Sequence, residues 1–368
     1  MTRMFTTLFA TYLCACAWAA EYPALAIGAS APDFALEGVD GKTHNLADFA
    51  DADVLAIVFT CNHCPTAQAY EARVQKLYDD YKDKGVTLIA ISTNDPLALR
   101  LDELGFSDLG DSFDEMKQRA KDINITYPYL YDGDTQAVGH AYGPASTPHV
   151  FVFDKARTLR YTGRIDDSER ESDIKLQDMR NAIDALLAGK PVSVEKTNSV
   201  GCSTKWSEKR DTVTASLEKW ATEPVSVSDI DSEQITSLLK NNSGKFRLIN
   251  LWTTWCGPCV VEFPEFVTMN RMYRGRDFEL VTISGDTREN TKRVEEFLKK
   301  QQASNTNYQF DNDDTYKLVE AVGNGWTGAF PFTLLVAPGG KVVYSHQGAI
   351  DPLEVKKAIV AQVGRTYK

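Results

Sequence analysis

The sequence predicts an α/β fold in two domains, each a central mixed β-sheet flanked by helices. Three observations carry that expectation. Two apolar runs of strand type, at Val54–Thr60 and Phe246–Trp252, each lead into two cysteines separated by two residues, and helical spacing follows. Each such corner is followed downstream by a proline-led strand and a returning partner, at Pro148 and at Pro331. A length of 368 residues with 43% hydrophobic and 25% charged side chains gives each half enough apolar material for its own core. The net charge of −11 argues against a general affinity for nucleic acid or an anionic membrane surface.

Taken in order, the chain begins like an export signal. Arg3 is the only charged side chain before Glu21, Phe5 to Ala20 is almost wholly apolar or small, and Ala17-Trp18-Ala19 fits a cleavage site. The run is short for a membrane span. A signal peptide over residues 1–19 and an exported, periplasmic protein are therefore expected. Leu13-Cys14-Ala15-Cys16 loosely resembles a lipobox, so a protein lipidated at Cys16 stays open, as does an uncleaved membrane anchor.

The first domain is expected over residues 24–190. The strand Val54–Thr60 leads to Cys61-Asn62-His63-Cys64-Pro65, a helix occupies Thr66–Lys84, and Val86–Ser92 is a second buried strand. A charged, irregular or helical segment covers Asp95–Asp122. Thr147-Pro148 opens the strand Val150–Asp154, Thr158–Thr162 pairs with it, and a helix over Ser172–Leu187 stops at Gly189-Lys190-Pro191. Residues 191–225, rich in Ser, Thr, Lys and Glu, read as a partly ordered linker that contains Cys202.

The second domain, 226–368, repeats the plan. A helix over Ser232–Lys240 precedes the strand Phe246–Trp252 and Trp255-Cys256-Gly257-Pro258-Cys259. Helical spacing continues to about Tyr273, Phe278–Ser284 is a buried strand, and Arg288–Gln301 is a charged helix. Phe330-Pro331 opens the strand Thr333–Val336, Pro338-Gly339-Gly340 turns it, Lys341–His346 returns, and Asp351–Val363 closes the domain as a helix.

The cysteines point to exchange chemistry. Without Cys14 and Cys16 of the signal, five remain, and four form two close pairs that staple almost no chain. Stabilisation by a disulfide grows with the loop it closes, so these pairs are poor scaffolding. A thiol at a helix N-terminus is favoured as thiolate by unpaired N–H groups and the macrodipole. Static disulfides or a shared zinc site are the rival readings; each pair has its own strand and helix, which counts against shared zinc.

With both corners and both prolines in place, a resemblance can be stated. Residues ~226–366 resemble the TlpA/ResA-like thiol–disulfide oxidoreductases, through Trp255-Cys256-Gly257-Pro258-Cys259, Glu262, Pro264 and Phe330-Pro331. Residues ~24–206 resemble the redoxin (AhpC/TSA, peroxiredoxin-like) branch, through Pro32-Asp33-Phe34, Cys61-Asn62-His63-Cys64-Pro65, Gly163-Arg164-Ile165-Asp166-Asp167 and Gly201-Cys202-Ser203-Thr204-Lys205-Trp206. The resemblance implies two thioredoxin-like domains. Peroxiredoxins carry Pro and Thr seven and three residues before the peroxide-attacking cysteine. Here those positions hold Val54 and Val58 counted from Cys61, or Ile57 and Cys61 counted from Cys64, so the peroxidase pattern is absent.

The resemblance makes Cys61, Cys64, Cys256 and Cys259 catalytic. Cys256 attacks a substrate disulfide, Cys259 resolves the mixed disulfide, and Glu262 handles the proton of Cys259. Asn250 stands where thioredoxin keeps a buried aspartate, which leaves that task to Glu262. Thr147-Pro148 and Phe330-Pro331 are the implied cis-proline loops, which with Trp255 would bind a substrate peptide by strand addition. His63 is expected to stabilise the Cys61 thiolate and to make the first couple the more oxidising, with electrons passing from the second pair to the first. Cys202 is either an unreactive residue or a third exchanging thiol. No cofactor is implied, since dithiols carry the electrons. The expected partners are protein disulfides or dithiols and an unidentified upstream thiol reductant. A thiol-dependent peroxidase and a non-catalytic peptide-binding module are the competing functions.

Overall fold

The computed structural model describes residues 22–367, so the export signal, Cys14 and Cys16 lie outside the described residues. The first half of the chain supplies strands β1 (Ala35–Gly38), β2 (Thr43–Asn45), β3 (Val54–Phe59), β4 (Val86–Ser92), β5 (Tyr129–Tyr131), β6 (Ser146–Thr147), β7 (His149–Phe153), β8 (Leu159–Gly163) and β9 (Cys202–Ser203). Seven of them form one mixed sheet in the order β2-β1-β5-β4-β3-β7-β8, while β6 and β9 pair separately. The second half supplies β10 (Ser228–Ile230), β11 (Phe246–Trp252), β12 (Phe278–Ser284), β13 (Thr306–Phe310), β14 (Phe332–Val336) and β15 (Val342–Gln347), in the order β10-β13-β12-β11-β14-β15.

Both sheets follow the same logic. The central strands β3 and β11 have a parallel neighbour on one side and an antiparallel one on the other. Helices cover both faces, which is why β3 is buried along its whole length and reads as a continuous apolar run. One face of the first sheet packs Val54, Ala56 and Val58 with Tyr70, Val74 and Leu77 of the helix Pro65–Tyr81. The other packs Leu55, Ile57 and Phe59 with Tyr142, Phe151 and Phe153. In the second sheet Leu248 meets Phe266, Met269 and Tyr273 of the helix Gly257–Tyr273. No helix among the described residues is long and apolar enough to cross a membrane.

The segment expected as linker divides in two. Residues 195–206 pack onto the first domain: Thr162 N–H donates to Glu195 O, Thr197 N–H to Thr162 O, Lys205 N–H to Asn94 Oδ1, and Trp206 is buried. Only the helix Arg210–Ala221 and its flanks bridge the halves. Beyond it the halves touch directly. Tyr273 Oη donates to Ser107 O at 2.8 Å, Arg276 donates to Gly105 O at 2.8 Å, and Arg365 pairs with Asp108 at 2.7 Å.

Candidate active site

Register fixes which cysteines correspond. In the first domain the residue after cis-Pro148, His149, pairs with Phe59; in the second the residue after cis-Pro331, Phe332, pairs with Leu251. Five residues beyond Phe59 is Cys64, and five beyond Leu251 is Cys256. Each is the N-cap of its helix, and each sulfur accepts a backbone N–H three residues on, from Ala67 at 3.5 Å and from Cys259 at 3.3 Å. Cys61 therefore corresponds to Thr253, and Ala67 takes the place of Cys259. The sequence expectation that Cys61 is the helix-end thiolate is overturned. Proline favours the first helical position, so Pro65 starts the helix one residue after Cys64 and leaves Cys61 in the preceding loop.

The second site matches its expected form. Cys256 and Cys259 form a disulfide with Cα atoms 5.3 Å apart. Trp255 is 63% exposed, and its ring meets Phe330 edge-on at 5.9 Å. Among the described residues no strand pairs with the loop before Phe332, and Gly348 N–H donates to Pro331 O at 2.9 Å. On the inner face of the disulfide helix, Glu262 is buried. Its carboxylate accepts from Ile350 N–H at 2.9 Å and from Asn250 Nδ2 at 3.5 Å, and Asn250 also reaches Thr333 Oγ1 at 3.3 Å. Burial pushes the Glu262 carboxyl up to about 7, against the pull of those two donors. It can hold or release a proton near neutrality.

The first site holds three thiols. Cys61 and Cys64 are buried and unbonded to each other, and Cys202 is partly exposed. Cys61 Sγ and Thr147 Oγ1 are 3.1 Å apart, and Cys64 Sγ lies 3.2 Å from Thr147 O. Cys202 N–H donates to Cys64 Sγ at 3.3 Å. Burial opposes a charge on Cys64. It is outweighed by hydrogen bonds from Cys202, Cys61 and Ala67 N–H and by the positive field of His63, so its thiol is held far below the usual range. The Thr147 carbonyl is one acceptor set against two N–H groups, two thiols and a cation, and that count decides the direction. Cys61 goes the other way, pushed well up by burial first, then by its bond to Cys64 and the charges of Asp111 and Cys64.

The positive field of His63 reaches Cys64, and a His63 ring nitrogen also lies within 4.8 Å of Cys61 Sγ. His63 Nδ1 lies 2.6 Å from Asp111 Oδ2, both side chains being buried. Burial disfavours the imidazolium, but the Asp111 carboxylate overcomes it and raises His63. Asp111 also accepts from Asn62 N–H at 2.9 Å, His63 N–H at 3.1 Å and Asn94 Nδ2 at 2.8 Å, so one carboxylate clamps the whole Asn62-His63 loop. Sequence reasoning missed Asp111, which sits in the segment read only as charged and irregular or helical. Cys61, His63 and Asp111 bring donor atoms within 4.8 Å of one another, a spacing that could hold a metal ion.

One further expectation changes. The Thr147-Pro148 edge is not open to a peptide: β9 pairs antiparallel with β6, Ser203 against Ser146 and Cys202 against Thr147. A passage of electrons from the second pair to the first has a helix length to cover. Cys256 caps one end of the 17-residue helix Gly257–Tyr273, while Tyr273 at the other end carries the contact to the first domain. At 1.5 Å per residue the helix places that cap about 25 Å from the contact.

The sequence model of the AhpC/TSA family matches residues 27–162, and that of the Redoxin family matches residues 221–361. A thiol-disulfide oxidoreductase ResA from Geobacillus thermodenitrificans is 26% identical over 135 residues, covering 37% of this chain and 67% of that protein. ResA from Bacillus subtilis is 29% identical over 105 residues, 28% of this chain and 54% of its own length. The chain thus spans between about half and two thirds of the length of these two ResA proteins. A solved hypothetical protein from Sinorhizobium meliloti is 33% identical, covering 50% of this chain and 97% of that one, with a TM-score of 0.44.

Proposed function

The chain is a tandem of two thioredoxin-superfamily domains, AhpC/TSA over 27–162 and Redoxin over 221–361, and on that footing we propose that it is an exported thiol–disulfide oxidoreductase. The observation that carries the reading is the Cys256–Cys259 pair at a helix N-terminus, with exposed Trp255 packed on Phe330 of the cis-Pro331 loop.

In the reduced protein the Cys256 thiolate attacks one sulfur of a protein disulfide and expels the other as thiolate, which takes a proton. Cys259 then attacks Cys256, closing the 256–259 disulfide and releasing the second thiol. Glu262 accepts the proton that Cys259 loses, a role its near-neutral carboxyl suits. A thiol reductant outside the chain returns two electrons. The peptide backbone enters along Phe330-Pro331 by strand addition, and Trp255 supplies apolar contact.

The first site is a second dithiol centre with Cys64 as its nucleophile. Given the length of the second-site helix, the two centres trade electrons through a diffusing thiol or through domain rearrangement. Export is supported by the charge and apolar pattern of residues 3–20. The test is insulin reduction by the whole chain with a dithiol donor. Cys256→Ser is expected to lose at least tenfold in rate, and an unchanged rate would remove the second site from the reaction.

A further inference from the structure

The pairing of β9 with β6 places a cysteine of the chain's own on an edge that, among the described residues, no strand pairs with in the second domain. Gly201-Cys202-Ser203 lies antiparallel to Ser146-Thr147, with Cys202 opposite Thr147 and its N–H on Cys64 Sγ. The placement is built, not incidental. Gly201 has φ +149, and a Cβ there would stand 1.9 Å from Thr147 O, so the chain can pass only as glycine. On the far side Thr204 Oγ1 donates to Pro144 O at 2.6 Å, Lys205 N–H donates to Asn94 Oδ1 at 2.9 Å, and Lys205 Nζ pairs with Glu103 at 2.6 Å. The strand is thus anchored at both ends, with Cys202 between the anchors.

We propose that Cys202 is the resolving thiol of the first site: it attacks Cys64 in a mixed disulfide from the position an incoming peptide cysteine would take, and Cys61 then displaces it. The inference rests on the reading of the first site as a dithiol centre. Its steps balance with any protein or small-molecule disulfide R–S–S–R′ as oxidant. The Cys64 thiolate attacks R–S–S–R′, forming Cys64–S–S–R and expelling R′S⁻, which is protonated. Cys202 gives up its proton and attacks Cys64 Sγ, forming the 64–202 disulfide and expelling RS⁻, which takes a proton. Cys61 then loses its proton and attacks Cys64, leaving the 61–64 disulfide and Cys202 as thiol. Two electrons pass to the external disulfide in all.

Cys202 precedes Cys61 for a physical reason. The largest cause holding Cys202 protonated is its hydrogen bond to Cys64, which vanishes once Cys64 is in a mixed disulfide. The largest cause for Cys61 is burial, which remains. Cys202 is also the one of the three that reaches the surface.

The experiment uses the full chain carrying Cys256→Ser and Cys259→Ser, reduced, then exposed to oxidised glutathione. Samples are acid-quenched over time, alkylated and mapped by mass. Expected are a Cys64–glutathione adduct, then a transient 64–202 disulfide, then 61–64. In Cys61→Ala the 64–202 species becomes the end product, and in Cys202→Ala release of the bound glutathione slows at least tenfold. A 61–64 disulfide forming in Cys202→Ala at the undiminished rate, with no 64–202 peptide in the chain that keeps Cys202, overturns the inference alone. Absence of any Cys64 adduct overturns the dithiol reading with it. Because the transient is sought in a chain that keeps all three first-site thiols, the test survives if Cys202→Ala fails to fold.

Discussion

Replacing each first-site cysteine in turn should expose one thiolate, and it should belong to Cys64. An ordinary thiol titrating near 9.0 is ionised in about one molecule in a thousand at about pH 6. Cys64 is pulled far below that range, so a much larger fraction of it is charged at the same pH. Two of the groups responsible are thiols, and a hydrogen bond to a charged group contributes about 1.5–3 kcal/mol. Deleting either donor, by Cys61→Ala or Cys202→Ala, therefore raises Cys64 by about one to two pKa units at about 1.4 kcal/mol each. The assay is the ultraviolet absorbance of thiolate followed against pH, in the full chain carrying Cys256→Ser and Cys259→Ser. The expected result is one thiolate in the mildly acidic range, abolished by Cys64→Ser and shifted to higher pH by the two alanine variants. An absorbance that survives Cys64→Ser but disappears with Cys61→Ala would refute the register argument. So would the absence of any thiolate below ordinary thiol pH.

Three further outcomes are expected. Glu262 titrates near 7 in the folded chain against 4.5 ordinarily. Between those values the folded state holds a proton that the unfolded state has lost, so stability falls as pH rises, by up to roughly 3 kcal/mol. Glu262→Gln should flatten that slope in urea unfolding of the second domain, and an unchanged slope would deny Glu262 its near-neutral carboxyl. His63→Ala removes the cation facing Cys64 and should lower the first couple's potential by about 30 mV for each unit its thiol rises; glutathione equilibration reads this, and a higher potential would reverse the argument. Gly201→Ala puts a methyl against Thr147 O and should detach the strand, so that Cys202 alkylates at least tenfold faster in the native protein; unchanged protection would mean the strand is held elsewhere.

Much of the scaffold was legible because burial on both sheet faces writes itself as continuous apolar runs. Phe246–Trp252, Val86–Ser92 and Phe278–Ser284 fall where the sequence puts them. The proline-led strands were legible through Thr147-Pro148 and Phe330-Pro331, whose peptide bonds are cis. Short elements escaped: Tyr129–Tyr131 and Ala137–Tyr142 offer three and six residues, too few for a period to register. Thr306–Phe310 escaped because Asn307 and Gln309 within it are buried polar side chains, whose amide N–H groups donate to Ala303 O and Asp286 O, not an apolar stripe. At the first site the spacing of Cys61 and Cys64 suggested a copy of the second pair. The proline after Cys64 carried the correction, since it marks where a helix begins. Asp111 and Cys202 were beyond reach of local reasoning. They lie 48 residues after His63 and 138 after Cys64, in segments whose composition resembles solvent-facing chain.

The central claim is that sulfurs at these helix ends exchange disulfides with partners outside the chain. Its most direct measurement is the transfer of electrons from the fully reduced protein to insulin, compared with Cys256→Ser, Cys64→Ser and the double variant. Loss of nearly all transfer in the double variant, with most of it lost already in Cys256→Ser, is the predicted result. A double variant that still reduces insulin at the parent rate would contradict the account.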